Sequence, residues 1–191
     1  MNYFTNETYN LLKSNKREAQ RTDPWYNATY ENYISVLEDN KHQGSKGFYS
    51  YNAFILSASF AFSWLARIPT FYKDGFNIEE PVKIIHHLHN IDAAEFDTQM
   101  DEEMIIELVS IFDNSVVAVS KMVHFLSPDY FPIIDSKVII TWNQIFPEHK
   151  LPKTIDIARY LEFSQKMRTW SVETGIKLRD LEIALFQYQQ K

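Results

Sequence analysis

Residues 115–142 read SVVAVSKMVHFLSPDYFPIIDSKVIITW, and they carry the clearest signals for the start and end of helices in the chain. Apolar residues recur from Val116 to Leu126 at the spacing of one α-helical face. Ser127-Pro128 then closes the helix, because proline cannot continue it. Asp135 occupies the N-cap position of a second helix, where its carboxylate can accept the first backbone N–H groups. The stretch therefore predicts a helix, a proline-containing turn and another helix.

The remaining sequence has the same helical spacing. Further helices are predicted over residues 6–21, 25–37, 49–65, 77–89, 101–112, 155–170 and 176–189. The segment 49–65 is apolar nearly all round, which is typical of the central helix of a bundle. We find no alternating strand pattern, internal repeat or linker. The sequence predicts an all-α fold, a single-domain bundle of about eight or nine helices over residues 1–191.

Local signals indicate where these helices begin and end. Asn77 and Thr154 are in positions to cap the helices that follow them. Asp39–Gly47 is polar and contains two of the four glycines of the chain, so it is predicted to be a loop. Gly175 is expected to separate the last two helices.

The composition excludes several classes of site. With no Cys, the chain cannot form disulfides, thiolate metal sites or a Cys nucleophile. The scarcity of Gly disfavours Gly-rich phosphate-binding loops. We expect no cofactor and no metal.

Two observations predict a cytoplasmic protein without a membrane anchor. The first eighteen residues do not have a basic segment followed by an apolar run, as a signal peptide would. The longest weakly polar run, residues 53–66, is too short to span a bilayer.

Charge is unevenly distributed along the chain. The formal net charge is −6, and eight acidic residues lie between Lys83 and Lys121 without a Lys or Arg among them. Net negative charge disfavours a dedicated nucleic-acid binder, although the rest of the chain is slightly basic. The acidic stretch could attract a basic protein partner or form a solvated face.

One flank of the central helix carries polar side chains with possible chemical roles. Ser120 and His124 are one turn apart, and Lys121 precedes His124 by three residues, so all three share a flank. The turn that follows is expected to bring Asp135 back toward this helix. A lysine and a carboxylate could then share one cleft, with Ser120, His124 and Lys137 as accompanying binding residues.

This arrangement resembles the catalytic segment of helix-hairpin-helix DNA glycosylases, in which a helix bearing Lys precedes a Pro-containing approach to an Asp. The resemblance implies that Lys121 is a Schiff-base nucleophile, that Asp135 assists cleavage of the glycosidic bond, and that DNA is the partner. A closer resemblance is to helical bacterial and phage-associated proteins without an assigned activity, and it is carried by the motif SKMVHFLSP, the later FPIIDS and the final LRDLEIALFQY.

Each of these residues also has a purely structural interpretation. Asp135 as a plain helix cap stabilises the fold by roughly 1 kcal/mol. Lys121 can extend its ammonium from the edge of a core helix, and His124 can be a hydrogen-bonded interior histidine.

Two other groups are weaker candidates for a site. His86 and His89 are three residues apart, and Asp92 or Glu95 could complete a metal site, although histidines also suit the C-terminal end of a helix. The helix 25–37 and the residues after it carry aromatic side chains that could stack nucleobases or fill the core. These are Trp25, Tyr26, Tyr30, Tyr33, Phe48, Tyr49 and Tyr51.

The sequence thus supports two functional hypotheses. The first is a degenerate DNA glycosylase-like protein that acts on or binds nucleic acid through a Lys121/Asp135 cleft. The alternative is a non-catalytic helical module that binds a protein through an acidic or aromatic surface. Enzymatic activity, substrate and oligomeric state stay open at this level.

Overall fold

The computed structural model describes residues 4–15, 24–43, 48–65, 79–91, 98–112 and 114–188. Within these ranges the chain forms nine α-helices and one 3-10 turn, so the predicted all-α fold class is confirmed. The helices are α1 (Asn6–Ser14), α2 (Pro24–Gln43), α3 (Phe48–Ser63), α4 (Glu79–His89), α5 (Thr98–Ile111), α6 (Val116–Leu126), α7 (Ser136–Ile145), α8 (Ile157–Thr174) and α9 (Leu178–Gln187). No helix in these ranges is both long enough and apolar enough to cross a lipid bilayer.

The chain divides into two compact units. The central unit is Trp25–Ser127, and the terminal unit combines Met1–Pro24 with Pro128–Lys191. The single domain expected over residues 1–191 stays a prediction. The stretch that opened the sequence analysis contributes α6 to the central unit and α7 to the terminal unit.

The core of the central unit is built on α3 and α6. As its composition predicted, α3 is packed on more than one side, against α4 and α6. Ala53, Ala58 and Ala61 are fully buried, and their small side chains allow the neighbouring helices to approach closely. The side chains of α6 are all buried apart from that of Val117, which is partly buried. At the end of α6 the Ser127 hydroxyl donates a hydrogen bond to the carbonyl of Leu88, in the last turn of α4.

Large aromatic side chains form the core of the terminal unit. Trp142 on α7 packs against Phe146 and Phe163, with ring centroids 4.4 Å and 4.9 Å apart. Phe146 in turn meets Trp170 of α8 edge-on at 5.5 Å. Both buried indole N–H groups are satisfied, since Trp142 donates to the carbonyl of His149 and Trp170 to that of Thr5.

Several predicted helix ends are confirmed. α6 ends at Leu126 with Ser127 as its C-cap, and α7 begins directly after Asp135. Gly175 ends α8 in the left-handed conformation, with φ of 67°, which glycine adopts without steric cost.

Other boundaries differ from the prediction. Thr154 does not cap α8, because the carboxylate of Asp156 accepts the backbone N–H of Arg159 and starts the helix later. α8 also continues to Thr174, beyond the predicted end at 170. Residues 39–43 belong to α2 rather than to a loop. The proposed cap Asn77 lies outside the described residues.

Candidate functional site

The proposed nucleophile Lys121 is buried in the central unit. Its side chain projects from α6, and only 7% of the residue is exposed. The ammonium Nζ donates a 3.4 Å hydrogen bond to the carbonyl of Trp64, the residue that follows α3. The last carbonyls of a helix have no partner within the helix and carry its negative dipole end, so a cation suits this place. Lys121 therefore links α6 to the end of α3.

His124 and Ser120 lie on the same helix and are also buried. Nε2 of His124 is 2.9 Å from the hydroxyl of Tyr30 on α2, and this hydrogen bond satisfies a fully buried ring. The Ser120 hydroxyl donates to the carbonyl of Val117 at 2.9 Å, a bond within its own helix. These contacts agree with the interpretation of His124 as a hydrogen-bonded interior histidine.

Asp135 is the N-cap of α7, as the sequence indicated. Its Oδ1 accepts the backbone N–H groups of Lys137 and Val138, both at 2.9 Å, and its own backbone is extended. Asp135 belongs to the terminal unit, whereas Lys121 belongs to the central unit. The shared Lys121/Asp135 cleft stays a prediction.

Lys137 follows Asp135 in the first turn of α7. Its Nζ lies 4.6 Å from the ring centroid of Phe186 on α9, in a cation–π contact. This contact joins α7 and α9, which pack directly against each other. The geometry gives Lys137 a structural contact inside the terminal unit.

The sequence analysis missed Glu182, a buried acidic residue near Asp135. Its carboxylate pairs with Nη1 of Arg179 at 2.5 Å and accepts the backbone N–H of Ile133 at 3.4 Å. Burial raises the pKa of the Glu182 carboxyl, and the nearby charge of Asp135 acts in the same direction, while Arg179 and the Ile133 N–H oppose the rise. The helical spacing contained the signal, because Glu182 falls between Leu178 and Leu185 on the apolar face of α9.

Two side chains of α8 donate hydrogen bonds to the backbone of the turn between α6 and α7. The buried Tyr160 hydroxyl donates to the carbonyl of Pro132 at 3.2 Å, and burial raises the pKa of this phenol. Arg168 donates from Nη1 to the carbonyl of Tyr130 at 3.1 Å. With Glu182, these residues satisfy backbone groups of a turn whose residues 131–134 are buried.

The histidines of α4 have separate environments. His89 is buried, and its Nε2 lies 3.4 Å from Oε1 of Glu38 on α2, whereas His86 is exposed. Asp92 and Glu95, the other proposed metal ligands, lie outside the described residues. In the part of the chain that the structure describes, no group of three or more His, Asp or Glu side chains is arranged to hold a metal ion.

The aromatic candidates that are described pack inside the central unit. Tyr33 stacks on Phe60 of α3 at 3.8 Å, and its hydroxyl is 3.0 Å from that of Ser63. Tyr30 contacts His124 and Phe125 of α6. The side chains of the other five members lie outside the described ones, namely Trp25, Tyr26, Phe48, Tyr49 and Tyr51.

Comparison of the chain with models of known protein families, with curated proteins and with solved structures finds no match. The resemblance to DNA glycosylases therefore stays a prediction, as do the roles that it implies for Lys121 and Asp135.

The raised pKa of Glu182 predicts a pH dependence of stability. The native carboxyl binds its proton more tightly than the unfolded one, so its contribution is fully present below the unfolded pKa, near 4.5, and is lost as pH rises through the native pKa. Glu182→Gln keeps an acceptor for Arg179 and Ile133 but cannot titrate. In urea unfolding from about pH 4 to about pH 8, the wild type should lose stability relative to Glu182→Gln.

The control is Glu148→Gln, an exposed position in the same unit with the same change of net charge. A stability difference between the wild type and Glu182→Gln that is constant over this pH range, or that moves in favour of the wild type as pH rises, contradicts the assignment.

Proposed function

We propose that the protein is a non-catalytic helical module whose central unit binds a basic partner protein through an acidic surface. The observation that carries this proposal is the division of charge between the two units. Residues 25–127 contain 6 Lys and Arg residues against 14 Asp and Glu, a formal net charge of −8. Residues 1–24 and 128–191 contain 13 basic and 11 acidic residues, a net charge of +2.

Acidic side chains of the central unit are on its surface. Those described as exposed are Glu31, Asp39, Glu79, Glu80 and Glu103, and those described as partly exposed are Glu38, Glu102 and Glu107. The basic side chains described in this unit are Lys83, which pairs with Glu80 at 2.5 Å, and the buried Lys121. A cationic partner is therefore attracted, and the attraction also speeds its approach.

The same charge makes the central unit a poor platform for DNA. Binding of duplex DNA gains affinity when Lys and Arg replace the counterions of the phosphates, and the unit that contains Lys121 is strongly acidic. The burial of Lys121 and its hydrogen bond to Trp64 also favour a packing role over attack on a sugar. These observations support the protein-binding proposal above the nucleic-acid hypothesis.

The proposal predicts binding of a Lys/Arg-rich peptide that weakens with salt. The test variant replaces three acidic residues of α5 by Gln, namely Glu102, Glu103 and Glu107. This triple replacement should weaken binding of the peptide by about tenfold. The measurement is fluorescence anisotropy of a labelled peptide at about 50 mM and about 200 mM salt, with labelled duplex DNA titrated in parallel.

A matched variant in the terminal unit separates a local surface from overall charge. Glu7→Gln, Asp129→Asn and Glu148→Gln together remove the same number of charges from exposed positions there. This triple variant should bind the peptide nearly as the wild type does. Equal weakening by both triple variants, absence of peptide binding, or tighter binding of DNA than of peptide would overturn the proposal.

The glycosylase hypothesis has its own direct test, for which the present proposal predicts a negative result. Borohydride reduction in the presence of duplex DNA with an abasic site should give no covalent adduct, because the Lys121 residue is only 7% exposed. Lys121→Met, which preserves side-chain length, and Lys83→Met, at an exposed site, are the paired variants. An adduct that forms with the wild type and Lys83→Met but not with Lys121→Met would establish the glycosylase-like reaction instead.

A further inference from the structure

A small groove in the terminal unit lies between α1 and α9, and we call it the α1–α9 groove. Its volume is about 170 Å³, and it is partly open to solvent. Tyr9, Leu12 and Lys13 line it from one face of α1. Asp180, Ile183, Ala184 and Gln187 line it from one face of α9, at spacings of three, four and seven residues. Two well-formed helices that pack on each other thus supply the walls.

Gln187 gives this groove a polar group that can hydrogen-bond to a ligand. The residue is only 6% exposed, yet it lines the groove. In the described part of the chain, no protein group within hydrogen-bonding distance pairs with its side-chain amide. The groove is the space in which a ligand can reach this amide. The amide can both donate to and accept from a ligand.

The groove also carries one charge of each sign on opposite walls. Lys13 and Asp180 are both exposed, and within the described residues neither forms an ion pair. Nζ of Lys13 lies 5.3 Å from the ring centroid of Tyr9, which also lines the groove. The two opposite charges are thus held by separate helices with space between them.

The base of the groove is apolar. Leu12 and Ala184 are buried, and Ile183 is partly buried beside them. The groove therefore combines an apolar base with a cation, an anion and a free amide, which is the mixture typical of sites for small polar ligands.

We propose that the α1–α9 groove binds a free α-amino acid as a zwitterion. The ligand carboxylate pairs with Lys13, its ammonium pairs with Asp180, and its side chain lies on the apolar base with any polar end at the Gln187 amide. The volume is below the roughly 300–1,000 Å³ of pockets for drug-sized ligands, so the ligand is small.

Ligands of simpler charge fit this groove less well. A simple anion would meet the carboxylate of Asp180, and a simple cation would meet the ammonium of Lys13. A wholly apolar ligand would leave the Gln187 amide buried without a partner. A molecule that carries both charges uses every polar group of the groove.

The test is a titration of the full chain with L-glutamine and L-leucine, followed by calorimetry and by ¹⁵N chemical shifts of α1 and α9. N-acetyl-L-leucine lacks the positive charge and L-leucinamide lacks the negative one. Each derivative should bind about tenfold more weakly than L-leucine or worse, since a charge-assisted hydrogen bond is lost. L-glutamine should bind more tightly than L-leucine, because its side-chain amide can pair with Gln187.

Variants at the two exposed charges leave the packing of the helices in place. Lys13→Gln and Asp180→Asn should each weaken binding of both amino acids by about tenfold. Lys153→Gln and Asp129→Asn, at exposed positions of the terminal unit that do not line the groove, should leave it unchanged. The proposal is overturned if neither amino acid binds, if the derivatives bind as well as L-leucine, or if Lys13→Gln and Asp180→Asn bind as the wild type does.

Discussion

Residues 131–134, in the turn between α6 and α7, are buried without being helical, and this condition constrains the terminal unit. Residues 131–134 are shielded from water, so their backbone groups need partners inside the protein. Tyr160 and Arg168 of α8 donate to carbonyls of the turn, and Glu182 of α9 accepts the N–H of Ile133. Pro132 has no N–H and reduces the number of groups to be satisfied. Two helices distant in sequence therefore satisfy the backbone of the turn that leads into α7.

The features that could be predicted from the sequence are those with local causes. The Asp135 cap, the end of α6 before Pro128 and the break at Gly175 each depend on a few neighbouring residues. Thr154 and Asp156 lie close together in the sequence and both residue types can cap a helix, so only the backbone geometry shows that Asp156 caps α8. The single-domain expectation and the candidate cleft depend on long-range arrangement, which helical spacing does not determine.

The partners of Lys121 and His124 could not be predicted from the sequence either, because these contacts are long-range. Helical spacing correctly placed Lys121 and His124 on α6, but their partners lie far away in sequence, at Trp64 and Tyr30. A sequence pattern cannot distinguish a lysine that faces a cleft from one that faces the end of another helix. Glu182 was detectable in principle, because an acidic residue on the apolar face of α9 must find partners when the helix packs.

The proposed function of the central unit follows from its net charge and from the burial of the side chains of α6. The chemically suggestive side chains of α6 are buried inside the unit with a net charge of −8, while acidic side chains occupy its surface. The buried Lys121 donates to a carbonyl at the end of α3, and we propose that the surface charge attracts a basic partner. The terminal unit contains the α1–α9 groove, for which we propose a separate binding role.

Reductive methylation with ¹³C-formaldehyde measures the burial of Lys121 directly in the native chain. The dimethyl-lysine signals, assigned with Lys121→Met, should show Lys83 and Lys153 modified quickly, since both are exposed. Lys121 should stay unmodified until the protein is unfolded in urea, because only 7% of the residue is exposed and its ammonium donates to the carbonyl of Trp64. Modification of Lys121 in the native protein as fast as that of Lys83 would contradict the account and restore Lys121 as a candidate nucleophile.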